Sequence, residues 1–72
     1  MSVTESLAVK LNGEPRRVSA GTTIAGMLAE LGLNAERVAV ERNLEIVPRS
    51  TLGEGEVRDG DTFEIVHFVG GG

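Results

Sequence analysis

Three glycines, Gly70, Gly71 and Gly72, close the chain directly behind the largely apolar run Phe63-Glu64-Ile65-Val66-His67-Phe68-Val69. The chemistry that such an ending offers is that of a backbone carboxylate. Without a Cβ, glycine threads a slot that excludes any side chain, and it takes φ of either sign. Three residues extend about 10 Å, so the carboxylate of Gly72 could reach into another protein's active site while the folded body stays outside. That carboxylate is ionised at neutral pH and is a nucleophile. The competing reading is a plain linker or an unstructured end. Linkers usually carry serine and follow a polar stretch, whereas these glycines follow a β-like run with no spacer. A functional tail is the expectation.

The other reactive side chains offer less. His67 is the sole histidine and cysteine is absent, so a general base or metal ligand there lacks partners, and His67 reads as structural or merely exposed. Asp59 and Asp61 flank Gly60. A calcium site needs several more oxygen ligands, so these two read as turn-capping groups. Gly53-Glu54-Gly55 has neither the lysine nor the following helix of a phosphate-cradling loop. The chain therefore offers no phosphate cradle of its own.

Size and charge narrow the field. Seventy-two residues make one domain, which buries only about 60% of its unfolded surface. A deep catalytic cleft with its own supporting shell does not fit, which speaks against a stand-alone enzyme. Absence of cysteine removes disulfides and thiolate metal sites. The opening Met1-Ser2-Val3-Thr4-Glu5-Ser6 is polar and lacks the features of a signal peptide. No apolar run approaches the roughly 18 residues of a membrane span. The expected location is the cytoplasm, with no membrane partner. Eleven acidic against seven basic residues, with two Phe and no Tyr or Trp, supply neither the field nor the stacking groups for nucleic acid. The acidity suits solubility, and it would also suit docking on a basic patch of a partner.

The elements that must position the tail follow from periodicity. Leu7, Val9 and Leu11 alternate with Ala8 and Lys10, a half-buried strand over 7–11. Asn12-Gly13 is a hairpin turn, and residues 15–18 return, with Pro15 suited to an edge strand. Thr23 is placed to cap a helix of about nine residues. Its stripe is Ile24, Met27, Leu28 and Leu31, and Gly32 stands at its C-terminal cap. Residues 38–41 form a third strand, Arg42-Asn43 a turn, and 45–47 a short fourth strand ended by Pro48. Residues 49–58 are irregular and anchored by Leu52 and Val57. Asp59-Gly60-Asp61 turns the chain into a last strand over 62–68. Phe63 and Ile65 should face the core, and Glu64, Val66 and Phe68 the opposite side. One sheet covered by one helix satisfies every apolar face. The last strand should be central, because the tail must be projected from something stiff. Val66 and Phe68 would then form a small apolar patch beside Gly70, a candidate partner-binding surface.

Four segments carry a resemblance to a known family. They are the strand leading to Asn12-Gly13; Gly21-Thr22-Thr23-Ile24 through Leu28-Ala29-Glu30-Leu31-Gly32; Val38-Ala39-Val40-Glu41-Arg42-Asn43 through Ile46-Val47-Pro48-Arg49; and Asp59-Gly60-Asp61 through Ile65-Val66 to the glycine end. Over residues 7–72 the chain resembles the ubiquitin-like β-grasp sulfur carriers, and most closely those of the thiamine pathway. Some members finish on two glycines, so Gly70 is an additional residue. The resemblance implies an α+β β-grasp fold, a mixed four- to five-stranded sheet on one main helix, over residues 1–69, followed by a flexible tail at 70–72. It implies that Gly72 is adenylated by an E1-like activating enzyme using ATP. A persulfide on a cysteine-desulfurase-type donor then converts Gly72 to a thiocarboxylate, and thiazole synthase takes the sulfur. Gly71 would thread the channel. No cofactor would be bound by this chain, which would be a monomer alone. The nearest alternative is the molybdopterin-pathway carrier, which often has a proline-rich stretch before its glycines where this chain has His67-Phe68-Val69. A ubiquitin-like modifier and a non-covalent β-grasp binding module are the further alternatives.

Overall fold

The computed structural model of the chain describes residues 5–68. The predicted tail at 70–72 lies outside them. Strand β1 (Ser6–Leu11) runs into β2 (Glu14–Ser19) through Asn12 and Gly13, at φ 51° and 84°. Two consecutive left-handed residues make the tight turn that matches strand twist. The pairing is antiparallel, with Leu11 opposite Glu14.

Helix α1 (Ile24–Glu30) follows. The four leading amides of a helix have no intrahelical acceptor, and α1 shows how a short helix solves this. Ile24 N–H donates to the Gly55 carbonyl and Ala25 N–H to the Leu52 carbonyl, both at 2.9 Å. Gly26 N–H donates to Thr23 Oγ1 at 3.0 Å. The long loop after residue 48 is therefore the helix's N-terminal cap as much as a connection. At the other end Gly32, at φ 75°, donates to Ala29, and Leu33 donates to Leu28. That doubled closure is a Schellman motif, and it stops the helix at seven residues rather than about nine.

A 3-10 turn at Ala35–Arg37 leads into β3 (Val38–Arg42), β4 (Glu45–Ile46), a second 3-10 turn at Arg49–Thr51 and β5 (Thr62–His67). The β3–β4 turn sits on Asn43 and Leu44, at φ 52° and 73°, one residue later than the expected Arg42-Asn43. Arg42 stays in the strand, opposite both Glu45 and Phe63, because its side chain is bound on the helix side. The sheet order is β2-β1-β5-β3-β4. The β1–β5 pairing is parallel and the others are antiparallel. The last strand is thus central, as expected, and Pro15 lies on an edge.

Val9, Val18, Ile24, Met27, Leu28, Val38, Val40 and Phe63 are buried between sheet and helix. Leu52 and Val57 join the same core and anchor the long loop, as their apolar character in a polar stretch predicts. No helix is long and apolar enough to cross a membrane among the described residues.

Candidate functional site

The site is defined by where β5 leaves the sheet. Strand ends usually fray, yet here the chain is held on both flanks to its last described residues. On the β1 side the Asn12 side chain acts as a detached piece of strand. Ile65 N–H donates to Asn12 Oδ1 at 2.7 Å, and Asn12 Nδ2 donates to the Ile65 carbonyl at 3.2 Å. The parallel pairing, which covers only Lys10–Thr62 and Leu11–Phe63, is thereby prolonged by a side-chain amide. On the β3 side Val38 pairs with His67, and Phe68 N–H donates to the Arg37 carbonyl at 2.8 Å. Phe68 is one residue beyond the strand, and that bond still holds it.

Alternation along β5 buries Phe63 and half-buries Ile65, and sets Glu64, Val66 and Phe68 on the exposed side. Val66 is 59% and Phe68 52% exposed, so both expected patch residues stand free of the core beside the strand's exit. Val66 pairs with the exposed Ala39. Two more large apolar residues, unmarked by the sequence reading, are exposed on the β3–β4 hairpin, Ile46 at 76% and Leu44 at 85%, and lie toward the start of β5. Their shortness of context hid them, since a two-residue strand has no period to read.

At the opposite end of β5 lies a tightly satisfied corner. Asp61 is 6% exposed. Its Oδ2 accepts from Arg42 Nε at 3.0 Å and from Arg58 N–H at 2.9 Å, with Arg42 Nη2 at 2.8 Å. Its Oδ1 accepts from Asn43 Nδ2 at 3.2 Å. Burial pushes this carboxyl up, but the Arg58 amide, the Asn43 amide and the Arg42 guanidinium together outweigh it and hold the group below its ordinary range. Asp59 Oδ1 accepts from Ala8 N–H at 2.8 Å. The Asp59 bond ties the turn to β1, and of the Asp61 bonds only that from the Arg58 N–H closes the turn itself, so the capping expectation holds for Asp61 alone. Among the described residues no three His, Asp or Glu side chains gather in a way that could hold a metal ion. His67 is exposed.

Parallel first and last strands at the centre of a mixed sheet, two flanking hairpins and one helix across one face define a β-grasp protein of the ubiquitin-like class. Comparison with known proteins narrows that class. The ThiS family model matches residues 9–72, and the chain belongs to the ThiS family. It is 45% identical to the sulfur carrier protein ThiS of Bacillus subtilis, over 89% of this chain and 98% of that one. The crystal structure of the thiamine biosynthesis protein ThiS from Geobacter metallireducens superposes with a TM-score of 0.77 at 33% identity, covering 92% of this chain and all of that one. A segment of the thiazole synthase of Paramagnetospirillum magneticum is 55% identical over 62 residues. The chain spans only about a fifth of the thiazole synthases it matches, 19% and 20% of their lengths. The molybdopterin-pathway alternative is not favoured by these matches.

Proposed function

We propose that this chain is the sulfur carrier for thiazole formation in thiamine biosynthesis, a cytoplasmic co-substrate of other enzymes rather than a catalyst. The observation that carries the reading is the extent of the family match, which runs to residue 72 and so takes in the glycine tail. In this reading the Gly72 carboxylate attacks the α-phosphate of ATP on an E1-like activating enzyme and pyrophosphate leaves. Adenylation turns a poor acylating group into one with a good leaving group. The outer sulfur of a cysteine persulfide on a desulfurase-type donor attacks the acyl carbon and AMP leaves, giving an acyl disulfide. A second thiol then cleaves its S–S bond, forming a disulfide with the donor cysteine, and the carrier ends as a thiocarboxylate. Thiazole synthase then receives the sulfur. The likeness to segments of thiazole synthases supports that partner.

The residues of this chain contribute position and access. The Asn12 and Arg37 contacts to β5 aim the strand's exit, Gly71 and Gly72 leave the approach to the reacting carbon open, and Val66 and Phe68 offer a docking surface beside the exit. Holding the two reactants in place removes much of the entropic barrier to their reaction.

The test is the mass of the native protein, purified and incubated with its activating enzyme, ATP and a sulfur donor. The expected product has one oxygen of the Gly72 carboxylate replaced by sulfur. Oxidation of Met1 or Met27 gives nearly the same nominal gain, so fragmentation must place the shift on the C-terminal peptide. An unchanged Gly72 under these conditions overturns the reading.

A further inference from the structure

Two features of the exposed sheet face work against the stability of the fold, and they lie next to each other. The first is a row across three strands. Ile46 of β4 stands opposite Glu41 of β3, and Glu41 stands opposite Glu64 of β5. Directly opposed side chains lie on one face with Cβ atoms about 5 Å apart, and like charges in that arrangement are destabilising. Among the described residues nothing neutralises the pair. The one ion pair among the described residues joins Arg42 to Asp61. Lys10 lies opposite Thr62, diagonal to Glu64, and makes no ion pair with it.

The second feature is Leu44 in the adjoining turn. Its φ of 73° is left-handed, a conformation that disfavours a branched side chain and that glycine fills readily in a two-residue hairpin. With 85% of its surface exposed, Leu44 recovers no burial in return. Strain without a structural gain is a pointer to function. The exposed Ile46 and Val66 flank the row, Ile46 opposite Glu41 and Val66 two residues along β5 from Glu64.

A second copy of the chain is a poor occupant of this face. Packing it on itself would bring four carboxylates together on a molecule of net charge −4. A partner with a basic side chain in an apolar setting is complementary. We infer that Glu41 and Glu64 form a receptor for an arginine or lysine of thiazole synthase, flanked by Leu44 and Ile46 on one side and Val66 on the other. The choice of occupant rests on the carrier reading above and on the occurrence of segments like this one within thiazole synthase chains, where the synthase body is a covalent neighbour. A planar guanidinium can serve both carboxylates at once. Such a charged contact at the centre of an apolar patch governs recognition and encounter more than raw affinity.

The experiment is calorimetric titration of the full chain with thiazole synthase from the same organism, at roughly 50 and 300 mM NaCl. Wild type is expected to bind and to weaken several-fold at the higher salt. Glu41→Gln/Glu64→Gln should bind about tenfold more weakly at low salt and lose most of that salt dependence. Leu44→Gly should also bind more weakly. Neither variant should melt below wild type, since each removes a local cost. The proposal is overturned if the double variant binds as wild type does with the same salt dependence. It is equally overturned if its Tm falls, if wild type does not bind the synthase, if the face instead mediates self-association, or if only binding to the activating enzyme suffers. The carrier reading stands or falls separately, on the mass of Gly72.

Discussion

Two clusters of charge sit at different places on the same sheet and are built on opposite terms. At the Asp61 corner the carboxylate is buried and every oxygen has a donor, so the charge belongs to the fold. On the outer face Glu41 and Glu64 oppose each other with no ion-pair partner among the described residues, so their charge is not compensated there. The comparison teaches that a carboxylate's role in a small domain is read from what compensates it, and its residue type says little.

The sharpest test of that contrast is at the corner. Asp61→Ala would strand the Arg42 guanidinium, the Asn43 amide and the Arg58 N–H together. Removing one partner of a largely buried pair with its hydrogen bonds costs about 2–4 kcal/mol, a large part of the stability of a domain this size. Urea denaturation followed by far-ultraviolet circular dichroism measures it, because two Phe and no Trp or Tyr leave little other signal. Loss of less than about 0.5 kcal/mol, the range of an ordinary surface substitution, would place the corner on the same footing as the outer face. The matching pair, Glu41→Gln/Glu64→Gln, should leave the denaturation midpoint where it is or raise it.

Acid sharpens the same comparison. The folded Asp61 carboxyl has a lowered pKa, so the folded state binds its proton less readily than the unfolded state. Its stabilisation is complete above the ordinary value of 3.8 and is lost as pH falls from there through the lower folded value. Thermal melts of wild type and Asp61→Asn should therefore converge as the pH is lowered through that window. A gap that stays constant through the same range would show that ionisation of Asp61 does not stabilise the corner.

Asn12 tests the exit of β5 and should give a smaller effect. Asn12→Gly keeps the left-handed turn, which glycine accepts, and removes both bonds to Ile65. A loss of about 1 kcal/mol is expected, together with faster hydrogen exchange at the Ile65 amide. Unchanged exchange there would mean that the side-chain clamp does not hold the strand.

How much of this was legible beforehand follows a physical line. Leu7, Val9, Leu11, Ile24, Met27, Leu28 and Phe63 could be placed because a repeating apolar period reports burial directly, and Gly13, Gly32 and Gly60 because left-handed backbone favours one residue type. The central place of β5 followed from what the tail requires. Asn12, Asn43 and the Arg42–Asp61 pair were not legible in the same way. Their partners lie far off in sequence, and a polar side chain gives no hint of which distant backbone it will meet. Leu44 runs against the turn rule, so the rule set the turn one residue too early. Ile46 was missed as an exposed residue because apolar character in a strand ordinarily means burial.

The smallest expected effect is at Gly26, where two rules oppose each other. Alanine in place of an interior helical glycine contributes about 1 kcal/mol through backbone entropy and helix propensity. At this position the added Cβ would lie 3.3 Å from Thr23 Oγ1 and 3.4 Å from Thr22 Cγ2. Thr23 Oγ1 is the acceptor for the Gly26 amide itself, so the methyl group presses on the cap that its own residue uses, and a lost cap costs about 1 kcal/mol. Gly26→Ala should therefore leave stability near wild type. In a Thr23→Ala background, with the obstructing oxygen gone, the same change should stabilise by close to its full propensity gain. Equal effects of Gly26→Ala in both backgrounds would mean that the cap moves aside without cost.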